Sequence, residues 1–383
     1  MSQSLGLYLH IPFCVQKCRY CDFCSAPASE STKAAYTDAL CTHLAALAPH
    51  VRDYSVDTVY VGGGTPTALA PHALSQIMRT VRDRFALTPD AEISMECNPV
   101  TSSEGLFDTL LAAGVNRLSL GAQSMHDTEL ALLGRPHTAK DLEHTLLAAR
   151  RAGFDNISAD VMFGIPAQTV ESFRETLSSL VSLSPDHISA YGLRIEEDTP
   201  FYRERHTLPL PSEDEEADMA ALVASFLPQH GYERYEISNY ARNGARSRHN
   251  MRYWLHEEYL GVGPAAHSFL RGERFAMLPD TSAYIRHVAA GELDATVCDR
   301  TRVGAHEARE EYTMLRMRTR EGVERRDFCA RFGIGFEDAY GDIAHLVRGG
   351  FLIDDPDRVA FTDRGFQVSN AILSEWLDFG GDA

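Results

Sequence analysis

The 383-residue chain lacks long apolar runs and an excess of basic residues. No stretch approaches the ~18 consecutive apolar residues that span a bilayer, and residues 1–6 show no basic segment leading into an apolar one. We therefore expect a cytoplasmic protein without an integral membrane segment. The formal net charge of -18 argues against a general nucleic-acid-binding function, because such binding depends on a basic surface.

Cysteine is scarce outside one short segment. Four of the eight cysteines lie between residues 14 and 24, and the other four are isolated at Cys41, Cys97, Cys298 and Cys329. This distribution indicates a group of metal ligands with ordinary buried thiols elsewhere, and it does not predict a disulfide framework. The hydrophobic content of 44% is enough for one large α/β domain and a smaller second one.

The segment around which the chain is organised holds three thiols, Cys14, Cys18 and Cys21, at C-x3-C-x2-C spacing. A short apolar strand over residues 5–11 precedes it, and Pro12 ends that strand, so the thiols fall on a loop. Three such thiolates can hold a [4Fe-4S] cluster whose fourth iron stays open to a small molecule. The alternative is structural zinc, for which Cys24 would supply a fourth ligand.

Strand and helix patterns then alternate about six times without a hairpin signal. The strands are predicted over residues 5–11, 58–61, 92–97, 117–121, 156–163 and 187–191, and the helices over 33–47, 75–85, 106–113, 140–152 and 170–183. This order predicts parallel strands with right-handed crossovers. The pattern alone leaves open whether they form a barrel or a doubly wound sheet.

The last part of the chain has a different pattern. After a helix over residues 212–230, the C-terminal region has predicted helices at 310–317, 328–332 and 343–348, and a hairpin that pairs 351–353 with 359–361. We expect a winged-helix-like α+β module there. The domain boundaries are predicted as 1–230 for the α/β core, 231–300 for an extension and linker, and 301–383 for the C-terminal domain.

The cysteine spacing, together with Gly62-Gly63-Gly64-Thr65-Pro66 after the second strand, resembles the radical S-adenosylmethionine (SAM) superfamily. The resemblance implies an open (β/α)6 partial barrel with its site at the carboxyl ends of the strands. It also implies that Cys14, Cys18 and Cys21 hold a [4Fe-4S] cluster whose open iron chelates SAM. One electron from that cluster would break SAM to a 5'-deoxyadenosyl radical, and Cys24 would then have no assigned role.

Further motifs at the strand ends, over residues 96–99, 117–124, 133–137 and 160–169, make the chain similar to the oxygen-independent coproporphyrinogen III dehydrogenase family. By motif position, this resemblance implies nine SAM contacts: Tyr8, Tyr20, Gly63, Gly64, Thr65, Glu96, Gln123, Arg135 and Asp160. Arg135 has the geometry to pair a carboxylate, and Glu96 or Asp160 to accept from ribose hydroxyls or an ammonium. The alternative for Arg135 and Asp160 is a mutual or neighbouring ion pair.

Three features favour the haem-chaperone branch of that family over its dehydrogenase branch. Only seven residues precede Tyr8, and Phe23 occupies the position where the dehydrogenases carry another cysteine. The H-N-x-x-Y-W segment over residues 249–254 is typical of the chaperone branch and makes His249 a candidate ligand for haem iron. The alternative for His249 is a hydrogen-bonded corner of the core.

The resemblance therefore implies a protein that carries haem as cargo and delivers it to haem proteins such as respiratory enzymes. The alternative is the dehydrogenase activity, a radical oxidative decarboxylation in porphyrin biosynthesis. The expected partners are haem, recipient haem proteins and an electron donor such as a flavodoxin or a ferredoxin, and a homodimer is compatible with these. Whether the chain turns SAM over as an enzyme stays open.

Overall fold

The computed structural model describes residues 3–102 and 105–378. Its core is a run of six parallel strands alternating with helices on the outer face. The strands are β1 (Gln3–Ile11), β2 (Tyr54–Gly63), β3 (Leu87–Cys97), β4 (Arg117–Gln123), β5 (Ile157–Phe163) and β6 (His187–Gly192). The helices are α1 (Glu30–Leu47), α2 (Pro71–Arg84), α3 (Leu106–Ala112), α4 (Asp127–Leu133), α5 (Ala139–Ala152) and α6 (Val170–Leu183). The predicted alternation is confirmed, and α4 is an added helix.

The region after β6 supplies strands to both edges of the same sheet. It comprises α7 (Pro200–Glu204), α8 (Glu213–Gln229), β7 (Glu233–Arg234), β8 (Asn239–Ala241), α9 (Arg248–Trp254), β9 (Tyr259–Val262), β10 (His267–Leu270), β11 (Glu273–Met277), α10 (Thr281–Ala290) and β12 (Val297–Arg302). The strand order is β12-β11-β10-β9-β1-β2-β3-β4-β5-β6-β8-β7. Because β12 and β7 are the two edges and do not pair, the barrel is open, as predicted.

The direction of these added strands differs from that of the core. Strand β9 pairs with β1 in parallel, whereas β10, β11 and β12 continue the sheet antiparallel, and β8 runs antiparallel to β6. Their sequences are short and irregular, and the sequence patterns assigned no element to them. Residues 231–300 therefore share the barrel sheet and its apolar core. The boundaries at 230 and 300 stay a prediction.

Strand alternation decides which side chains face the inside of the barrel. On β4 the buried apolar residues Leu118 and Leu120 pack into the main core, and Arg117, Ser119 and Gly121 line the interior cavity. This is the period of two that a strand imposes. The barrel interior is consequently polar, and the outer layer between sheet and helices is apolar.

The C-terminal unit has its own sheet and its own core. It contains α11 (Ala305–Met317), β13 (Val323–Glu324), α12 (Arg325–Phe332), α13 (Phe336–Tyr340), α14 (Ala344–Arg348), β14 (Leu352–Asp354), β15 (Arg358–Phe361), α15 (Asp363–Gln367) and α16 (Ser369–Trp376). Strand β15 lies between β13 and β14, antiparallel to both. A separate apolar cluster, which includes Tyr312, Phe328 and Phe336, fills this unit. The predicted helices and hairpin are confirmed.

No helix within the described residues is long and apolar enough to cross a membrane.

Candidate active site inside the open barrel

A cavity of about 570 Å³ occupies the interior of the barrel and opens at the carboxyl ends of its strands. Most of the predicted site residues line it: Cys14, Cys18, Tyr20, Cys21, Gly63, Gly64, Thr65, Glu96, Gln123, Arg135 and Asp160. Tyr8 and His249 do not. The fold therefore brings together residues that lie up to 146 positions apart in the sequence, counted from Cys14 to Asp160.

Backbone hydrogen bonds close the loop that carries the three thiols. The Cys14 N–H donates to the Ala26 carbonyl at 3.2 Å, and the Ala26 N–H donates to the Pro12 carbonyl at 3.1 Å. A turn in which the Cys21 N–H donates to the Cys18 carbonyl at 3.3 Å brings those two thiols to the same side. Burial is the main reason that the pKa of the Cys21 thiol is raised to about 11.

The fourth cysteine of this segment points elsewhere. Cys24 lines a second cavity, and its thiol donates to the Pro279 carbonyl at 2.8 Å. It therefore does not complete a four-sulfur site with Cys14, Cys18 and Cys21. Within residues 3–102 and 105–378, no three His, Cys, Asp or Glu side chains surround a single-ion site. Three thiols around a cavity are the donor set of an iron-sulfur cluster, in which separate irons take the separate thiolates.

The glycine segment after β2 passes close to the cysteine loop. Gly63 has a φ of +111°, and a Cβ at this position would lie 2.6 Å from the His10 ring. A Cβ at Gly64 would lie 2.6 Å from the Phe13 carbonyl oxygen and 3.0 Å from the Cys14 sulfur. Only glycine fits these two positions. Thr65 follows directly, and its hydroxyl donates to the Cys14 sulfur at 3.6 Å.

Two buried carboxyl groups face the cavity. Glu96 accepts from the Tyr60 hydroxyl at 3.0 Å and from the Gly63 N–H at 3.1 Å. Burial, with the nearby Asp160, raises the pKa of Glu96 to about 8. Burial also raises the pKa of Asp160, which accepts from the Ser119 hydroxyl at 3.0 Å. A cationic or hydroxyl-rich ligand would find hydrogen-bond acceptors here.

Arg135 lies at the wall of the cavity beside the cysteine loop. Its Nη2 donates to the Gly121 carbonyl at 2.9 Å, and its Nη1 donates to the Cys18 sulfur at 3.7 Å. It makes no salt bridge with Asp160 within the described ranges, so the ion pair considered from the sequence does not form. The buried Nε of Arg135 has no hydrogen-bond partner. The guanidinium is therefore oriented along the cavity wall with donor capacity to spare.

Gln123 and Tyr20 complete the predicted wall. Gln123 has a φ of 63°, which is uncommon for a side chain other than glycine, and its amide oxygen accepts from the Tyr191 hydroxyl at 3.0 Å. Burial raises the pKa of the Tyr20 phenol, so it stays a neutral donor. Both residues lie in the same cavity as the three thiols.

Tyr8 belongs to the second cavity, of about 580 Å³, which shares Gly63 and Glu96 with the first. Its hydroxyl is hydrogen-bonded to His10 Nδ1 at 3.1 Å, and His10 Nε2 is 2.9 Å from the Cys24 carbonyl. Tyr8 thus lies beside two other predicted SAM contacts, Gly63 and Glu96, on the side of the second cavity. Its assignment as a SAM contact stays a prediction.

His249 lies in the core and lines neither cavity. It is 0% exposed, and its ring nitrogens are hydrogen-bonded to the Thr58 hydroxyl at 2.9 Å and the Tyr253 hydroxyl at 2.8 Å. Burial, with the charges of Arg252 and Arg117, lowers the pKa of His249 to about 3. This is the geometry of a hydrogen-bonded core corner. Ligation of haem iron by His249 stays a prediction, and it requires α9 to move.

The floor of the cavity holds polar residues that the motif analysis did not single out as ligands. They are Arg117, Ser119, Ser189, Ser238, Asn239 and Asn250. The signal for the first two was available, because alternate residues of a strand share one face and the Arg-x-Ser-x-Gly-x-Gln order of β4 is polar on that face. The signal for Asn250 was absent, since no sequence pattern indicated that α9 lies beneath the barrel.

Glu92 explains why α9 lies there. The backbone N–H groups of Arg248 and His249, at the start of α9, donate to its carboxylate at 3.0 Å and 3.1 Å. Negative charge at a helix N-terminus is stabilising. Ser247 caps the same helix by accepting from the Asn250 N–H. The contact fixes α9 against β3 and turns Asn250 toward the interior cavity.

Comparisons with known proteins agree with this architecture. Residues 8–180 match the family model of the radical SAM superfamily, and residues 304–368 match that of the HemN C-terminal domain. The chain is similar to the haem chaperone HemW of Bacillus subtilis (strain 168), with 33% identity over 97% of this chain and 98% of the relative. It is equally similar to HemW of Escherichia coli (strain K12), with 33% identity over 97% and 98% of the two chains.

A solved structure shares the fold over nearly the whole chain. It is the coproporphyrinogen III oxidase HemN of Escherichia coli, described as a radical SAM enzyme, with a TM-score of 0.88, 24% identity, and coverage of 99% of this chain and 91% of that one. At this identity the match shows the fold alone. The full-length similarity to the curated relatives is closer, and it shows that the chain belongs to the HemW family of radical SAM proteins.

Proposed function

We propose that the protein is a radical SAM haem chaperone, which binds haem and hands it to recipient haem proteins such as respiratory enzymes. The observation that carries the proposal is the interior cavity lined by three thiols, a glycine segment and two buried carboxyl groups, in a chain similar along its length to proteins named haem chaperones. The cytoplasm is the compartment in which we expect it to act.

The residues of the cavity fit a [4Fe-4S] cluster and SAM. Cys14, Cys18 and Cys21 would hold the cluster, because these thiols share one cavity from which Cys24 is absent. When bound, the cluster and SAM together supply one-electron chemistry, in which reduction breaks a carbon-sulfur bond of SAM. A flavodoxin or a ferredoxin is the class of electron donor that such chemistry requires.

The protein groups around the cluster position would bind and orient SAM. Gly63 and Gly64 let the ligand approach the backbone closely, and Glu96 would accept hydrogen bonds from a ligand ammonium. Asp160 is placed to accept from hydroxyl groups. Arg135 would pair a carboxylate while its bond to the Gly121 carbonyl keeps the guanidinium oriented. The apolar layer between the barrel sheet and its helices keeps water away from the outer face of the sheet.

Haem transfer tests the proposal directly. Reconstituted protein is titrated anaerobically with haem, freed of excess by gel filtration, and mixed with apomyoglobin, whose own absorbance reports haem arrival. We expect saturable binding of haem. Transfer to apomyoglobin should then be faster than from a comparison sample of haem bound to albumin. A protein that binds no haem, or that binds it without releasing it to an apoprotein, would contradict the chaperone role.

A further inference from the structure

The floor of the barrel cavity contains a buried cation without a hydrogen-bond partner. Arg117 is 2% exposed and lines the cavity, and its Nε is buried without a hydrogen bond. Within the described part of the chain, its guanidinium makes neither a hydrogen bond nor a salt bridge. A buried charged group whose donors make no hydrogen bond is unfavourable in a folded protein. A ligand with oxygen acceptors would supply the missing hydrogen bonds.

Two other donors at the floor are also available. The side-chain amide of Asn250 and the hydroxyl of Ser238 line the same cavity, and neither forms a hydrogen bond among the residues that the structure describes. Together with the five N–H donors of Arg117, they form a set of donors with few acceptors. This composition suits an anion with two oxygen acceptors.

Arg117 is close enough to Asp160 to offset part of the rise in that carboxyl's pKa, but no hydrogen bond or ion pair within the described residues joins the two side chains. Asp160 lies in the same cavity, and its carboxyl oxygens accept from the hydroxyls of Ser119 and Ser158. Glu96 is hydrogen-bonded to Tyr60 and Gly63, and it pairs in register with Ser119, two residues along β4 from Arg117. The N–H donors of Arg117 are thus open to a ligand.

The floor is also distinct from the part of the cavity assigned to the SAM carboxylate. Arg117 and Gly121 are four residues apart on β4, which corresponds to about 13 Å along the strand. Arg135 is bonded to the Gly121 carbonyl, at the cysteine end. Arg117 is therefore anchored at the other end of β4 from the carbonyl that Arg135 contacts.

We propose that Arg117, with Asn250 and Ser238, forms a carboxylate-binding subsite at the floor of the barrel, which takes a propionate group of the porphyrin cargo. This inference rests on the proposed function, because it takes the cargo to be haem. Arg117 would bind the carboxylate through two parallel N–H donors, which is the geometry that favours arginine over lysine. Asn250 links the H-N-x-x-Y-W segment to the ligand through its amide, independently of the His249 ring.

Haem and haem dimethyl ester, which lacks the carboxylates, are the two probes that test the subsite. Each is titrated into the reconstituted wild type, Arg117→Met, Arg117→Lys and the exposed control Arg52→Met. We expect the wild type and Arg52→Met to prefer haem by about tenfold or more. Arg117→Met should lose that preference, and Arg117→Lys should keep part of it. Such a cycle of variant and ligand isolates the contact between them.

Thermal unfolding separates a binding role from a structural one. If Arg117 serves a ligand, Arg117→Met removes a buried charge that makes no hydrogen bond, and its melting temperature should equal or exceed that of the wild type. A fall of several degrees would instead mean that Arg117 stabilises the fold, and it would overturn the subsite.

The other outcomes are equally distinct. If the wild type binds haem and its ester with equal affinity, the subsite is wrong while the chaperone role stands. If neither probe binds the wild type, the proposed function itself fails, and the inference fails with it. If Arg117→Met weakens SAM binding but not haem binding, the carboxylate at the floor belongs to SAM, and the assignment to the cargo is wrong.

Discussion

The two ends of the barrel cavity carry ionisable groups of opposite charge. At the carboxyl ends of the strands the protein gathers thiols and the acids Glu96 and Asp160, while at the floor it buries Arg117 without a hydrogen-bond partner. Burial is unfavourable for the charged forms of both sets of groups. A ligand set with metal and cationic groups at one end and a carboxylate at the other would relieve both, which is why we interpret the cavity as a single site with two functional ends.

The largest effect is expected at the cysteine end. Replacing Cys18 by alanine removes one of three cluster ligands, so the absorbance of the reconstituted protein at roughly 400 nm, where iron-sulfur charge transfer lies, should be abolished. Cys24→Ala is the matched control and should keep this absorbance, because Cys24 faces the second cavity. Equal loss in both variants would mean that the fourth thiol is also a ligand and that the cluster end is misassigned.

The next largest effect is expected from His249, which lies on α9 next to the floor residue Asn250. His249→Ala leaves the hydroxyls of Thr58 and Tyr253 without their hydrogen-bond partner. We expect the free energy of unfolding to fall by about 1–3 kcal/mol in urea denaturation. His72→Ala, at an exposed position on α2, should change it little.

The haem spectrum of the same variant decides its second possible role. With His249 in the core, the Soret band of bound haem should keep its position in His249→Ala. A shifted band, in a variant that still folds, would show that the imidazole ligates iron and that α9 moves when haem binds.

A pH dependence is expected from the acidic end. Burial raises the pKa of Glu96 to about 8, above its ordinary value of 4.5. The folded state therefore binds this proton more tightly than the unfolded state. Its contribution to stability is complete below the unfolded value and is lost as the pH rises through the folded value. Urea denaturation of the cluster-free protein should show the wild type losing more stability between pH 6 and pH 9 than Glu96→Gln.

Equal pH dependence in wild type and Glu96→Gln would assign the effect to other groups. Asp160 and Glu236 are the first of these, because burial raises the pKa of both carboxyls. This result would mean that the charge of Glu96 is already balanced in the folded protein. The acidic end would no longer need a cationic ligand.

The smallest effect is expected from Asn250→Ala at the floor. A neutral amide contributes about 0.5–1.5 kcal/mol to a hydrogen bond, less than a charged group does. Haem affinity should therefore fall severalfold, less than in Arg117→Met, and the affinity for the dimethyl ester should stay unchanged. A larger loss than that of Arg117→Met would move the centre of the subsite from the guanidinium to α9.

The cysteine end of the cavity could be predicted from the sequence, because its residues lie close together in the chain or directly follow a strand. Cys14, Cys18 and Cys21 share one loop, and Gly63 and Gly64 end a strand whose apolar pattern is clear. Parallel strands then carry their carboxyl ends to one edge, so the predicted motifs meet. The six-strand alternation and the C-terminal hairpin were predictable for the same reason of regular period.

The floor could not be predicted from the sequence, because contacts between residues far apart in the chain form it. Asn250 reaches the cavity since Glu92 on β3 caps α9, a contact between residues 157 positions apart when counted to His249. The added strands β9 to β12 are short and have no regular alternation, so their pairing depends on the edge that β1 offers. The same packing places His249 in the core, as the alternative interpretation of its sequence surroundings expected.

Anaerobic incubation of the reconstituted protein with SAM, a strong reductant and coproporphyrinogen III, followed by mass spectrometry of the porphyrin, tests the central claim most directly. The E. coli coproporphyrinogen III oxidase serves as the positive control. The account predicts that coproporphyrinogen stays unchanged under conditions in which the same preparation binds haem and transfers it to apomyoglobin. Formation of protoporphyrinogen over many turnovers would contradict it and establish the dehydrogenase activity instead.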